Sequence, residues 1–413
     1  MRIGIVGAGF GGCASALALA RDGHQVTLLE AVERPMPVGA GIMLQPSGMA
    51  VLAELGVLER VLQHGEPCDR LRCVTRHGRL VFDLPYAVWD ARLFGLGLHR
   101  GALFSALYDA LPAAGVRLEL GVLATAIEGE HVRDAAGCKH GPFELIVIAD
   151  GARSRLRAAL GHALRDDEYP WGALWTVAAD PERRFRGRLF QVVDGAKAML
   201  GLLPTGTRPG DDTPQVSLFI SVRLDQLPAL RARGFAAFKA DSLAFAPDCA
   251  PVLDQLESFE QLLVASYRDV RLPRLDFGRV VYVGDAGHAM SPQLGQGSNL
   301  ALLDALALAA SLREQGELGR ALAAYSRARR SQLRYYQFVN RALTPFFQGD
   351  SWLLGALRDA LMPLAARLPL LRSTMVATMC GVKGGFMRRS LPIAHTAKLL
   401  PASTELARSS ERT

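Results

Sequence analysis

Three stretches of this chain carry residue types and spacings that can do chemistry, and they lie far apart. The first, Gly7-Ala8-Gly9-Phe10-Gly11-Gly12, matches G-x-G-x-x-G between a short apolar strand and an alanine-rich helix. In that context Gly7 permits the tight turn, Gly9 lets a pyrophosphate approach the main chain, and Gly12 lets helix and strand pack closely. The helix N-terminus adds free N–H groups and a partial positive charge. Glu30 ends the next strand, where it can accept hydrogen bonds from both hydroxyls of an adenosine ribose. Its carboxylate would repel a 2′-phosphate. These features read as a site for an ADP-containing dinucleotide other than NADP.

The second stretch, DGARSRLR at 150–157, follows the strand LIVIA, and the third is YVGDAGHAMSPQLGQGSNLALLDA at 282–305. Strands that end in Asp-Gly or Gly-Asp set a carboxylate at the carboxyl edge of a parallel sheet, where such sheets bind ligands. Asp150 and Asp285 hold those positions, and Asp285 suits a polyol. A lone strand-ending Asp is equally explained as a helix cap. Only one dinucleotide fingerprint is present, so either NAD is resident, or FAD is resident and a nicotinamide visits without its own domain. His288 reads as a loop histidine bonded to backbone, and His99 as packing beside Arg100. No spacing supports a Ser–His–Asp triad or a metal site.

The elements that must position these residues follow from periodicity. RIGIV, the helix CASALALARDG and the strand HQVTLLE form a βαβ unit. SGMAVLAELGVLERVLQ reads as a helix with Ser47 as N-cap, and LRCVTRHGRLVFDL as a hairpin turning at His77-Gly78. From about 166 to 270 alternating apolar segments indicate a mostly antiparallel sheet with one face buried. After residue 320 the pattern is helical, and 396–413 reads as a frayed polar tail. The expected fold class is α/β: a Rossmann-like dinucleotide-binding domain, an inserted antiparallel sheet domain and a helical C-terminal region. The first domain is assigned to 1–70, 98–165 and 271–335, the second to 71–97 and 166–270, and the helical region to 336–395.

Composition narrows the function classes. At 413 residues the chain is too long for one core, and half of it is hydrophobic, as in ordinary globular enzymes. The net charge of +7 is dispersed, without the basic stripe and interleaved aromatics of a nucleic-acid binder. Six cysteines without a CxxC pair suggest reduced, mostly buried thiols. A strand starting at residue 2 leaves no room for a signal peptide, and no run spans a bilayer, so a cytoplasmic location is expected.

Taken together, the motifs resemble those of the class A (single-component) FAD-dependent monooxygenases of the para-hydroxybenzoate hydroxylase family. The resemblance rests on the fingerprint with Glu30, on DGARSRLR and on GDAGHAMSPQLGQGSNLALLDA, in that order. Two smaller signatures agree, ER-x4-GAGI at 33–42 and LHRGALFSAL at 98–107. It runs to about residue 335, with the middle sheet similar only in texture.

The resemblance implies a GR2-type FAD domain and an NADH- or NADPH-dependent hydroxylation of an aromatic or other electron-rich small molecule by O2, through a flavin C4a-hydroperoxide. Glu30 with Gly7, Gly9 and Gly12 would hold the ADP half of FAD. Arg34 and Arg100 would contact its pyrophosphate and ribityl parts, and Asp285 the ribityl region. Asp150 and the arginines after it would serve FAD and the transient nicotinamide. Pro292, Gly295 and Gly297 would flank the ring. A helix starting near Ser298-Asn299 would aim its N–H groups at the ring's N1/C2 edge, where reduction places negative charge. Catalytic side chains are left unassigned, because the cofactor carries the chemistry. Trp175, Phe190, Met199 and Phe219 could line a substrate pocket or simply fill a core. The apolar, Arg-bearing stretch 344–372 could touch a membrane surface, but capping the substrate domain is preferred, because amphipathic helices usually face a core. A reductase or dehydrogenase of the same fold, and a non-catalytic flavin sensor, stay open as alternatives. The protein is expected to be a monomer or homodimer.

Overall fold

The computed structural model describes residues 1–36 and 39–386. The expected tail at 396–413, and the last residues of the helical region, lie outside the described residues. Two large sheets, a small three-stranded one (Ala124–Glu128, His131–Asp134 and Lys139–His140) and a layer of helices organise the described residues. The first sheet runs Asp276–Phe277, Val280–Tyr282, Leu145–Ile148, Arg2–Val6, Gln25–Glu30 and Arg117–Leu120 across its width. All neighbours are parallel except the outer hairpin of Asp276–Phe277 with Val280–Tyr282. Leu145–Ile148 is buried throughout, as a central parallel strand covered on both faces must be.

Register explains how distant motifs meet. Val6 pairs with Leu29 on one side and Ile148 on the other, and Ile148 pairs with Tyr282. Parallel strands in register end together. Gly7, Glu30, Asp150 and Asp285 therefore all leave the sheet at one carboxyl edge.

The second sheet has nine strands and is antiparallel except where Gly187–Asp194 runs parallel to Glu66–Thr75. It takes in Gly41–Leu44 and Gly95–His99 as well as the strands of the middle region. The chain thus crosses into this sheet well before residue 71. Glycines make the crossing close: a Cβ on Gly97 would stand 1.9 Å from the Pro204 carbonyl oxygen, and one on Gly41 2.5 Å from Thr205. The middle region also contains helices, Leu227–Ala232, Phe235–Phe245 and Ala250–Leu253. They cover the sheet's far face and build a second core of Leu174, Leu200, Leu202 and Leu218 with Phe238 and Phe259.

The hairpin turns at Gly78 in the left-handed region (φ 76°), as expected. Ser47 is not a cap. The helix Pro46–Glu54 is capped by Gln45 and started by Pro46, whose fixed φ suits the first turn. Helices Leu318–Phe347, Trp352–Ala365 and Pro369–Met379 form the C-terminal layer. Five of the six cysteines are buried and Cys138 is exposed.

Candidate active site

At the carboxyl edge of the parallel sheet a cavity of about 300 Å³ is lined by Gly7, Gly9, Glu30, Asp150, Gly151 and Arg155 among others. The three fingerprint glycines differ in kind. A Cβ on Gly7 would sit 2.5 Å from the Ala149 oxygen, and one on Gly12 1.9 Å from the Gly7 oxygen, whereas Gly9 faces space with nothing within 4 Å. Two glycines hold the turn, and the third leaves room beside the main chain. The first bond of helix Phe10–Arg21 is Cys13 N–H to Gly9 O, so the N–H groups of Phe10, Gly11 and Gly12 stay open beside that room. Glu30 accepts from Ala8 N–H at 2.7 Å and Val32 N–H at 2.9 Å. A carboxylate has about four lone-pair sites, so two remain for ribose hydroxyls. Asp150 Oδ1 is buried without a partner, and burial lifts this carboxyl's pKa above the ordinary range.

A single small residue joins this end to the next. Ala301, one turn into helix Gly297–Glu314, lies against both Gly11 and Gly284, where added Cβ atoms would meet its own at 3.4 and 3.0 Å. Two helix N-termini and the Gly284-Asp285 turn converge there. Asp285 is exposed, and its carboxylate has no partner among the described residues. It faces Gly297, with 3.7 Å from Oδ1 to where a Cβ would stand. The first bond of helix Gly297–Glu314 is Leu300 N–H to Gln296 O, leaving Gly297, Ser298 and Asn299 N–H open. The Asn299 side chain is already engaged: it accepts from Gln45 N–H at 2.9 Å and donates to Gly295 O at 3.1 Å. Pro292 opens a short turn that Gly295 closes with φ 60°.

That loop is strapped from behind by the C-terminal layer. Ser291 is bonded by Asn340 and Thr344, Gln293 donates to Gln348, and Gln296 donates to Met379 O at 2.7 Å. These contacts join the C-terminal helices to the first domain, and Arg358 reaches the middle sheet region by donating to Gly195 O at 2.8 Å.

The arginines divide. Arg100 lies over the Phe10 ring, 5.0 Å from its centroid, above the start of the first helix. Arg34 is exposed, with no side-chain partner among the described residues. Arg155 lines the cavity, and Arg153 is held by Glu168 and Ser266. Arg157 departs from the expectation that these arginines serve the cofactor. It is 1% exposed and bonded to Asp166, Ala152 O and Ala286 O, a clamp between the second and third motifs.

His288 also differs from expectation. It bonds a carboxylate, not backbone: Nε2 lies 2.6 Å from Asp304. Asp304 is fully buried, takes Arg329 at 2.5 Å, and accepts from Gly284 N–H at 2.8 Å. Burial alone would raise its pKa, but His288, Arg329 and these hydrogen bonds outweigh it and hold the carboxyl below its usual range. The clue in sequence was an aspartate inside the apolar run NLALLDALAL. His99 caps the helix Arg100–Tyr108, accepting from Gly101 N–H.

On the large sheet, Trp175 and Phe219 pair directly, with ring centroids 5.1 Å apart, and Met199 shares the core that continues into the first domain. Trp175 donates to the Tyr267 hydroxyl, whose burial pushes its pKa up to about 12. Phe190 belongs elsewhere. It pairs with Leu202 and packs against the far core, because alternate strand residues face opposite sides.

Residues 1–335 match the FAD binding domain family. The chain is 31% identical over 359 residues to kynurenine 3-monooxygenase of Salinispora arenicola, covering 80% of this chain and 76% of that one. The chain belongs to the class A family of FAD-dependent monooxygenases. It is also 26% identical over 395 residues to 2-heptyl-3-hydroxy-4(1H)-quinolone synthase of Pseudomonas aeruginosa, covering 91% and 94% of the two chains. The fold superposes on Klebsiella pneumoniae HpxO, solved with FAD and uric acid, with a TM-score of 0.75 over 92% of this chain and 97% of that one at 23% identity. FAD is the cofactor, and the site fits it. The space at Gly9, the orphaned Asp150 oxygen, the free Asp285 carboxylate and two open helix N-termini lie along one edge.

Proposed function

We propose that this protein hydroxylates an electron-rich aromatic small molecule, using NADH or NADPH and O2, with a ring substrate of the kynurenine or quinolone kind. The observation that carries this reading is the apolar sheet face of Trp175, Met199 and Phe219, which shares one core with the FAD domain. Its paired rings, 5.1 Å apart between centroids, suit a flat aromatic ligand. Glu30, Gly7, Gly9 and Gly12 hold the ADP half of the cofactor. Arg34 and Arg100 serve its phosphates, Asp285 its ribityl chain, and Asp150 the cofactor's edge. When bound, FAD supplies the electron and oxygen chemistry. The open N–H groups at Gly297, Ser298 and Asn299 stabilise negative charge brought against that helix end. Pro292 and Gly295 keep the loop flat, and the strap to Ser291 and Gln296 holds it in place and excludes water.

The test is aerobic NADH and NADPH oxidation by purified, FAD-loaded protein across a panel of phenols, anthranilate-like amines and quinolones. At least one member should accelerate oxidation and consume O2 in excess of the peroxide released. A panel without any stimulation would favour a reductase or a sensor.

The reading includes contact with a membrane surface. Helix Trp352–Ala365 docks through Gly355 and Arg358, the latter donating to Gly195 O and Phe346 O. Its other side exposes Trp352 (78%), Leu353, Leu357, Leu361 and Leu364, apolar side chains that can meet a lipid surface. No helix among the described residues is long and apolar enough to cross a membrane. Serine at Trp352 and Leu361 should reduce co-flotation with vesicles. Equal flotation of variant and parent would remove this part of the reading.

A further inference from the structure

A second cavity, of about 530 Å³, opens on another face, between the loop after strand Leu263–Arg271 and the helix Leu318–Phe347. Five arginines line it: Arg271, Arg274, Arg327, Arg330 and Arg334. The last three stand at i, i+3 and i+7 on one helix face. Asp276 is the one carboxylate on the wall, and among the described residues none of the five arginines makes an ion pair. Arg274 lies over the Phe277 ring at 5.0 Å, and the other four side chains have no partner among the described residues. Elsewhere the chain pairs such groups closely, as Arg157 with Asp166 at 2.8 Å and Arg341 with Asp269 at 3.0 Å.

Five like charges around one hollow repel each other, and an anion accepting from several at once reverses the sign of that interaction. Guanidinium forks match phosphate oxygens two at a time. One further group belongs to this wall. His288 is 2% exposed and lines the same cavity, and its Nδ1 has no partner among the described residues, while Nε2 is given to Asp304.

We propose that this basin binds a ligand carrying two or more phosphate groups. Its volume falls in the roughly 300–1,000 Å³ range of small-molecule clefts. Five guanidinium groups exceed what a single phosphate needs. A soluble diphosphate and an anionic phospholipid headgroup share this chemistry, and two probes separate them.

The FAD-loaded protein is titrated calorimetrically with inorganic pyrophosphate, and separately co-sedimented with vesicles of cardiolipin, whose headgroup carries two phosphates, and of phosphatidylcholine. The variants are Arg330→Ala/Arg334→Ala and, independently, Arg271→Ala, with FAD content as the check on folding. A saturable pyrophosphate site weakened tenfold or more in both variants supports the proposal with a soluble ligand. Binding to cardiolipin vesicles alone, lost in the same variants, supports it with a headgroup. No binding of either probe, or binding unchanged in both variants, overturns it.

Discussion

At the scale of residues, glycine positions and one buried carboxylate set the site. Gly12→Ala would push a methyl group into the Gly7 carbonyl, 1.9 Å away, so the purified variant should lack the yellow flavin absorbance of the parent. Asp285→Ala should lose FAD while keeping its fold, because its side chain makes no hydrogen bond or ion pair with another described residue. Full FAD affinity in that variant would remove Asp285 from the site. Asp304 acts differently. Asp304→Asn leaves Arg329 and His288 facing a neutral amide in a fully buried place, which should cost about 3–5 kcal/mol. The folded pKa of Asp304 lies below its ordinary value, so its contribution is complete above the unfolded value of about 3.9 and drains as pH falls through the folded one. The gap in urea midpoint between parent and variant should therefore close as pH falls below about 4. A gap that widens on acidification would contradict this assignment.

At the scale of elements, the C-terminal helices are part of the active-site loop's support. Asn340→Ala removes one of the two side-chain bonds to Ser291, at 2.9 Å, leaves the one to Thr344, and so loosens one end of the Pro292–Gly297 loop. Such a variant should keep FAD but leak more of its O2 as peroxide, about twofold or more, read by peroxide assay against O2 uptake. Unchanged coupling would show that the strap is structural only. Here the limits of sequence reading are physical. Glycine turns, the strand-ending acids and the helix start at Gly297 are local signals, so Gly7–Gly12, Glu30 and Asp285 could be placed on the sheet edge from sequence. The Asp304–His288–Arg329 cluster joins three elements, and no short stretch encodes it. Whether Phe190 lines a pocket or fills a core stayed open in the sequence because facing depends on register parity; it packs against the second core. Ser47 was taken for a cap because Pro46, the true start of its helix, also reads as a breaker. The helices of 227–253 were missed because their apolar residues serve a core that only the folded sheet creates.

At the scale of the whole molecule, one parallel sheet gathers Gly7, Glu30, Asp150 and Asp285 at its carboxyl edge. One mostly antiparallel sheet puts Trp175 and Phe219 into the core it shares with the FAD domain, and the C-terminal layer holds the Pro292–Gly297 loop. The most direct test is oxygen transfer itself. With the panel member that best stimulates NADH or NADPH oxidation, the reaction is run under ¹⁸O2 in unlabelled water and the product is weighed by mass spectrometry. One ¹⁸O atom per product molecule, dependent on bound FAD, is the expected result. Unlabelled product, or recovery of all consumed O2 as peroxide, would contradict a monooxygenase.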